Sequence, residues 1–347
     1  GGGGGPLVQD YFVETPPPDT TTLESLMVAS SPTKSKDFYL LPDSDDYDNI
    51  PQDPLNPLTG AKVEVGKLIY HDPAFATEGI ALRAKTWSCA SCHHARAGFK
   101  SGMIQGIGEG GEGFGLKGET RGWFDPEIGT QDADVQPVTS PTILNVAFQD
   151  VMLWNGQLGN ASNGIINVGI DPEILMTEGT PKVANAEGLS GIETQAIAGT
   201  GVHRILGFPP ELEDSDYYQM LLDAFPEYSR DELHKSSTRA IAAFERTVLA
   251  NQSPFQLWLR GDTDAMSEKE IAGAEVFFGD GGCVACHQGA AFSSSVGATA
   301  DQVFFAVGFA DLDFNEIIGG VSDPVRLGRG GFTQVEEDNY KFKVPQL

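Results

Sequence analysis

The chain has 347 residues, enough for two or three domains with sizeable cores. Its 49 acidic residues against 22 basic ones leave a net charge of −27, so it repels nucleic acid and anionic membranes. No run approaches the ~20 apolar residues of a membrane-spanning helix.

The chain opens "GGGGGPLVQD", without a methionine. Five glycines read as a flexible linker or a cloning remnant, or as the stalk that follows a lipidated cysteine in exported lipoproteins. Residues 1–60 are rich in Pro, Asp, Ser and Thr ("ETPPPDTTTLES", "LPDSDDYDNIPQDPLNP") and lack sustained periodicity. That composition predicts an extended arm that wraps a globular body or stays mobile.

Helical pattern begins at "AKVEVGKLIY" and leads to "TWSCASCHHARAGF". Cys89, Cys92 and His93 form C-x-x-C-H, the attachment signature of c-type haem. The two cysteines would make thioethers to the porphyrin, and His93 would be the proximal iron ligand. His94 follows directly and points to another side of the turn, so it reads as a supporting or surface residue. Between Phe99 and Gln136 lies a Gly-rich acidic region. Its "GIGEGGEGFG" lacks the lysine of a phosphate loop and should repel phosphate.

"SPTILNVAFQDVMLWNGQ" carries an N-cap serine, Ser140, with Pro141 at the first helical position and then an apolar stripe, which predicts a helix. "DSDYYQMLLDAF" predicts a short amphipathic helix. "SRDELHKSSTRAIAAFERTVLA" starts with a capping box, Ser229 to Glu232, and runs about five turns. "SEKEIAGAEVFFG" repeats the device with Ser267 and Glu270, then delivers the chain to "GCVACHQGAAF". There Cys283, Cys286 and His287 repeat the haem signature.

The two motifs consume all four cysteines, leaving no thiol for a disulfide, a zinc site or a nucleophile. A shared zinc would want the two C-x-x-C pairs on one metal, or a His-x3-5-His partner. Two covalent haem c groups are therefore expected, with His71 and His234 structural. The fold class is mainly α: two cytochrome-c-like haem domains with long loops and an extended N-terminal arm. The expected division is residues 1–60 for the arm, 61–255 for the first haem domain and 256–347 for the second. Covalent haem attachment in bacteria takes place outside the cytoplasmic membrane. A periplasmic or cell-surface location follows, with a lipid anchor at the N-terminus by analogy.

The motifs "SCASCHHA", "SPTILNVAFQDVMLWNGQ", "AIAAFERTVLANQSPFQLWLRGD", "GAEVFFGDGGCVACHQGAAF" and "DPVRLGRGGFTQ…YKFKVPQL" follow one another from about residue 66 onward. In that order they resemble the bacterial dihaem cytochrome c peroxidase family, including the related maturase-type oxidases. The resemblance implies an enzyme that reduces hydrogen peroxide to water. Ferryl chemistry would occur at the His93 haem, with electrons relayed from the His287 haem. A small donor, a cytochrome c or a cupredoxin, would supply them. It allows a homodimer.

Trp154 matches the tryptophan that lies between the haems in this family, although Asn155 and Gln157 replace the usual Asp and Arg; its other reading is a core residue. Glu109 stands where many members carry a histidine that caps the peroxidatic iron. Carboxylate is a poor ligand for ferrous haem, so an open or weakly occupied distal side is predicted. Gln195 matches the family's distal glutamine, and the distal glutamate position falls close to His203. His203 could act as the distal acid/base, as a sixth ligand, or as a surface histidine beside Arg204. The resemblance also allows an interdomain calcium ion, although Thr139 replaces the usual asparagine ligand, which weakens the case for it.

No methionine, histidine or cysteine follows His287, and the family continues past "YKFKVPQL", so a truncated second domain is expected. Two other functions stay open. One is a maturase-like oxidase acting on a partner protein by long-range electron transfer. The other is a non-enzymatic electron carrier.

Overall fold

The computed structural model describes residues 18–77, 79, 84–123, 133–136, 139–159, 166–294, 296–308 and 323–347. The five N-terminal glycines, on which lipid anchoring was argued, lie outside the described residues. In chain order the helices are α1 (Thr21–Ser30), α2 (Gly60–His71), α3 (Pro172–Leu175), α4 (Gly191–Val202), α5 (Asp216–Ala224), α6 (Leu233–Arg246), α7 (Pro254–Leu259), α8 (Glu268–Phe278), α9 (Ala300–Val303), α10 (Asp323–Arg326) and α11 (Arg329–Thr333). Two-residue antiparallel pairs join β1 (Gly111–Glu112) to β2 (Gly122–Trp123) and β3 (Phe304–Phe305) to β4 (Phe342–Lys343). The chain is mainly α, with long loops.

Contacts divide it into two compact units. The first joins the described residues up to Leu40 to Gln252–Val284. Here α1 packs on α8, and Leu23, Met27, Trp258 and Phe278 are buried. Tyr39 meets Phe278 edge-on at 5.0 Å. Helix α1 is thus a regular element inside a segment whose sequence reads as extended. Its only fully buried side chains are Leu23 and Met27, one turn apart, too few to show a periodic stripe.

The second unit comprises Leu41–Asn251 with Ala285–Leu347. Its core is α6, buried on nearly every side, with α2, α4 and α5 packed against it. Helix α2 crosses α6 at Gly66, where an added Cβ would lie 1.8 Å from the Ala240 carbonyl oxygen. Arg246 of α6 makes a two-pronged pair with Glu193 of α4, at 2.9 and 2.6 Å. Both are buried, and Asn56 donates to Glu193 as well, at 3.2 Å. This network straps residues 51–56 onto the helices.

Both predicted capping boxes form: Ser229 with Glu232 ahead of α6, and Ser267 with Glu270 at α8. The helix predicted over "SPTILNVAFQDVMLWNGQ" does not. Only a 3-10 turn, Val146–Phe148, is present. Asn145 sits in the left-handed region at φ 57, its N–H donates to the Val248 carbonyl, and its side-chain oxygen accepts from the Ala250 N–H. Those bonds pin the chain to the end of α6 and break the helical run. Ile143, Val146, Ala147, Val151 and Met152 are still buried, so the apolar stripe is core delivered by turns.

Candidate functional site

A cavity of about 620 Å³ opens in the second unit. This lies within the ~300–1,000 Å³ usual for cofactor and ligand pockets. Cys89, Cys92 and His93 line it, and so do Trp87, Asp134, Gln136, Trp154, Gln195, Gly199, His203 and Glu245. Gln195, Gly199 and His203 recur every fourth residue along α4 and its C-cap, so they share one face. Gly199 contributes only backbone to the wall.

Cys89, half-buried, and Cys92, buried, sit in the wall of this cavity. Trp87, Leu153, Ile205 and Ile241 line the same cavity, an apolar wall that suits a porphyrin held by two thioether links. Burial holds the His93 imidazole down to about 4, neutral and able to ligate. Its Nδ1 lies 3.1 Å from the Phe99 carbonyl oxygen. Nδ1–H donates there, which leaves the Nε2 lone pair for iron and sets the plane of the ring.

Phe99 makes that carbonyl available because it is left-handed, at φ 54. The second motif repeats the arrangement: His287 Nδ1 lies 2.7 Å from the Phe292 carbonyl oxygen, and Phe292 has φ 49. The two phenylalanines are functional residues that the motif reading passed over. Their signal is the matching run of small residues and Phe after each histidine, "HARAGF" and "QGAAF". Cys283 is exposed in the first unit, while Cys286 and His287, in the second, are half-buried. The residues at the first motif fit a haem c, and His287 is prepared as His93 is.

Of the other predicted site residues, the structure brings Gln195, His203 and Trp154 to the cavity wall and leaves Glu109 off it. Glu109 is fully buried and paired with Arg204. His203 is held at two points: its carbonyl accepts from Trp87 Nε1 at 2.8 Å, and its Nδ1 lies 2.8 Å from Asp134 Oδ2. Trp154 stacks on Phe342, with ring centroids 5.1 Å apart and planes 17° apart, and its carbonyl accepts from the Lys343 N–H at 2.8 Å. His94 is buried off the cavity, with its ring against Phe114. Thr139 gives its hydroxyl proton to the Ile104 carbonyl, at 2.7 Å.

Glu245, from α6, also reaches the cavity, and sequence reading missed it. Burial, reinforced by the Glu193 carboxylate, pushes it up to about 8, so it presents a neutral acid. Nothing local in "AAFERT" marks this residue, because the cavity that exposes it is made by other segments.

A family model described as di-haem cytochrome c peroxidase matches residues 60–264. The chain belongs to the di-haem cytochrome c peroxidase family. The family implies two haem c groups and an oxidoreductase. Curated relatives include the cytochrome c peroxidase Ccp of Escherichia coli, 27% identical over 292 residues, covering 84% of this chain and 48% of that protein. The methylamine utilization protein MauG of Methylorubrum extorquens is 24% identical, over 86% of this chain and 65% of its own. The cytochrome c551 peroxidase of Pseudomonas aeruginosa is 24% identical, over 84% and 65%. The chain thus spans half to two-thirds of the length of these relatives. Among solved structures, a MauG-like protein associated with microbial copper homeostasis matches with a TM-score of 0.52 at 21% identity, over 88% of this chain and 73% of its own. That likeness carries the fold.

Proposed function

We propose that the protein is a peroxidase that reduces hydrogen peroxide to two waters, with two protons and two electrons drawn from a small redox protein. The observation that carries this reading is the convergence of His203 and Gln195 on the cavity lined by Cys89, Cys92 and His93. Haem c held by Cys89, Cys92 and His93 would bind and activate peroxide, and haem c on Cys283, Cys286 and His287 would take electrons from the donor.

The protein's own side chains handle the protons. With Nδ1 engaged by Asp134, Nε2 is the His203 nitrogen left to act on a peroxide in the cavity. It takes the first proton and returns it to the outer oxygen as the O–O bond breaks, so that oxygen leaves as water. The Gln195 amide can hold the same oxygen by hydrogen bonding. Neutral Glu245 adds no charge to the site. Trp154, on the cavity wall and stacked on Phe342, offers an aromatic ring for electron entry.

A second reading, an oxidase acting on a partner protein, has the support of the MauG relative at nearly the same identity as the peroxidases. Either activity belongs outside the cytoplasmic membrane, where c-type haem is attached. The test is peroxide turnover by the di-haem protein with a reduced small cytochrome, in wild type and His203→Ala. Wild type should turn over many times, and the variant should lose about 100- to 10,000-fold with an unchanged resting spectrum. Oxidation by peroxide without donor turnover would favour the oxidase, and no reaction would leave an electron carrier.

A further inference from the structure

The Gly-rich acidic loop remains unexplained by the haem motifs, and the structure gives it a task. Its residues 106–109 run beside 134–136 in a short ladder. Gly108 N–H donates to the Asp134 carbonyl at 2.8 Å, Asp134 N–H to the Glu109 carbonyl at 3.1 Å, and Gln136 N–H to the Gly106 carbonyl at 2.9 Å. Arg121 locks the loop by donating to the carbonyls of Gly108, at 2.7 Å, and Gly113, at 3.1 Å. The ladder sets the buried Asp134 carboxylate against His203. Oδ2 meets Nδ1 at 2.8 Å, while Oδ1 accepts from the Gln136 side-chain amide, also at 2.8 Å. A Cβ at Gly108 would lie 2.3 Å from Asp134 Oδ2, so a side chain there would displace this carboxylate.

We propose that Asp134, seated by the Gly108 turn, is the positioning residue that fixes the tautomer of His203. The Gln136 amide lies 3.4 Å from the same Nδ1, so two groups compete to set its proton. The carboxylate is closer, and an acceptor-only partner requires Nδ1 to carry the hydrogen. Nε2 then faces its work as a lone pair, the form that can take a proton from peroxide. Without Asp134, the Gln136 amide would donate to Nδ1 and place the hydrogen on Nε2, the wrong form for a base. This inference rests on the peroxidase reading of His203.

The experiment compares Asp134→Asn, Gly108→Ala, His203→Ala and the Asp134→Asn/His203→Ala double variant as di-haem proteins. The readouts are the rate of reaction with peroxide and the C–O stretch of carbon monoxide bound to the reduced protein. In Asp134→Asn the introduced amide is nearly isosteric with the carboxylate but can donate to Nδ1, inverting the tautomer. That variant should slow the peroxide reaction about a hundredfold and move the stretch to lower wavenumber, as Nε2–H hydrogen-bonds the bound oxygen atom. Gly108→Ala, which displaces the carboxylate, should also slow the reaction. The double variant should be no slower than His203→Ala alone, because both changes act through one imidazole. If His203→Ala is slow while Asp134→Asn keeps both the wild-type rate and the wild-type stretch, the positioning role is overturned and the peroxidase reading stands. If His203→Ala reacts like wild type, the reading of His203 itself fails.

Discussion

Glu245 and His93 show opposite consequences of the same burial. Each is largely withdrawn from bulk water in the cavity wall, and each is held neutral: the acid by a raised pKa, the imidazole by a lowered one. For Glu245 the sign is testable. Its folded value of about 8 lies above the ordinary 4.5, so between those limits the unfolded chain has released a proton that the folded chain keeps. Stability is therefore lost as pH rises through that window, and the loss levels off above about 8. Glu245→Gln should leave stability unchanged near pH 4 and raise it at pH 8, on the order of a few kcal/mol. Denaturant unfolding of both proteins at the two pH values checks this. At this scale the haem-bearing residues were legible, because C-x-x-C-H is five consecutive positions. The Asp134–His203 pair was not, being 69 residues apart.

Among the elements, the α2–α6 crossing carries the second unit. Gly66 lets the helix backbones touch, with no room for even a methyl group against the Ala240 carbonyl. An alanine would gain up to ~1 kcal/mol in helix propensity. The overpacking should outweigh it, for a net loss of about 1–3 kcal/mol. Thermal or denaturant melts of Gly66→Ala measure the balance, and a stabilised variant would show that the helices part without cost. Capping boxes were readable here because an N-cap and its N3 partner are three residues apart. The false helix over 140–157 had every local sign of a start. It fails because Asn145 finds partners at Val248 and Ala250, more than a hundred residues away.

At the scale of the whole chain, the peroxidase proposed above would meet its electron donor with a net charge of −27. A basic cytochrome c is drawn to such a surface, and salt screens the attraction over about 10 Å at 0.1 M. The kcat/KM for a basic donor should therefore fall about tenfold or more between low and moderately high salt, and that for an acidic donor should not. Steady-state turnover across a salt series decides it. A flat profile for the basic donor would mean that the docking face is locally neutral.

The sequence by itself determined the two haem attachment motifs, the family, the mainly α class and the capped helix starts. Each of these depends on groups a few residues apart or on a pattern repeated along the chain. The family resemblance pointed to Gln195 and His203 beside the first motif, and the tertiary structure decided the rest of its surroundings. It drew Glu109 into a buried pair with Arg204, set Gln195, His203 and Glu245 on one cavity, and turned a Gly-rich loop into the seat of Asp134. The Glu109–Arg204 and Asp134–His203 pairs depend on loops that bring distant segments into hydrogen-bond contact. Burial, which exists only in the folded chain, then sets the protonation of the imidazole and the acid.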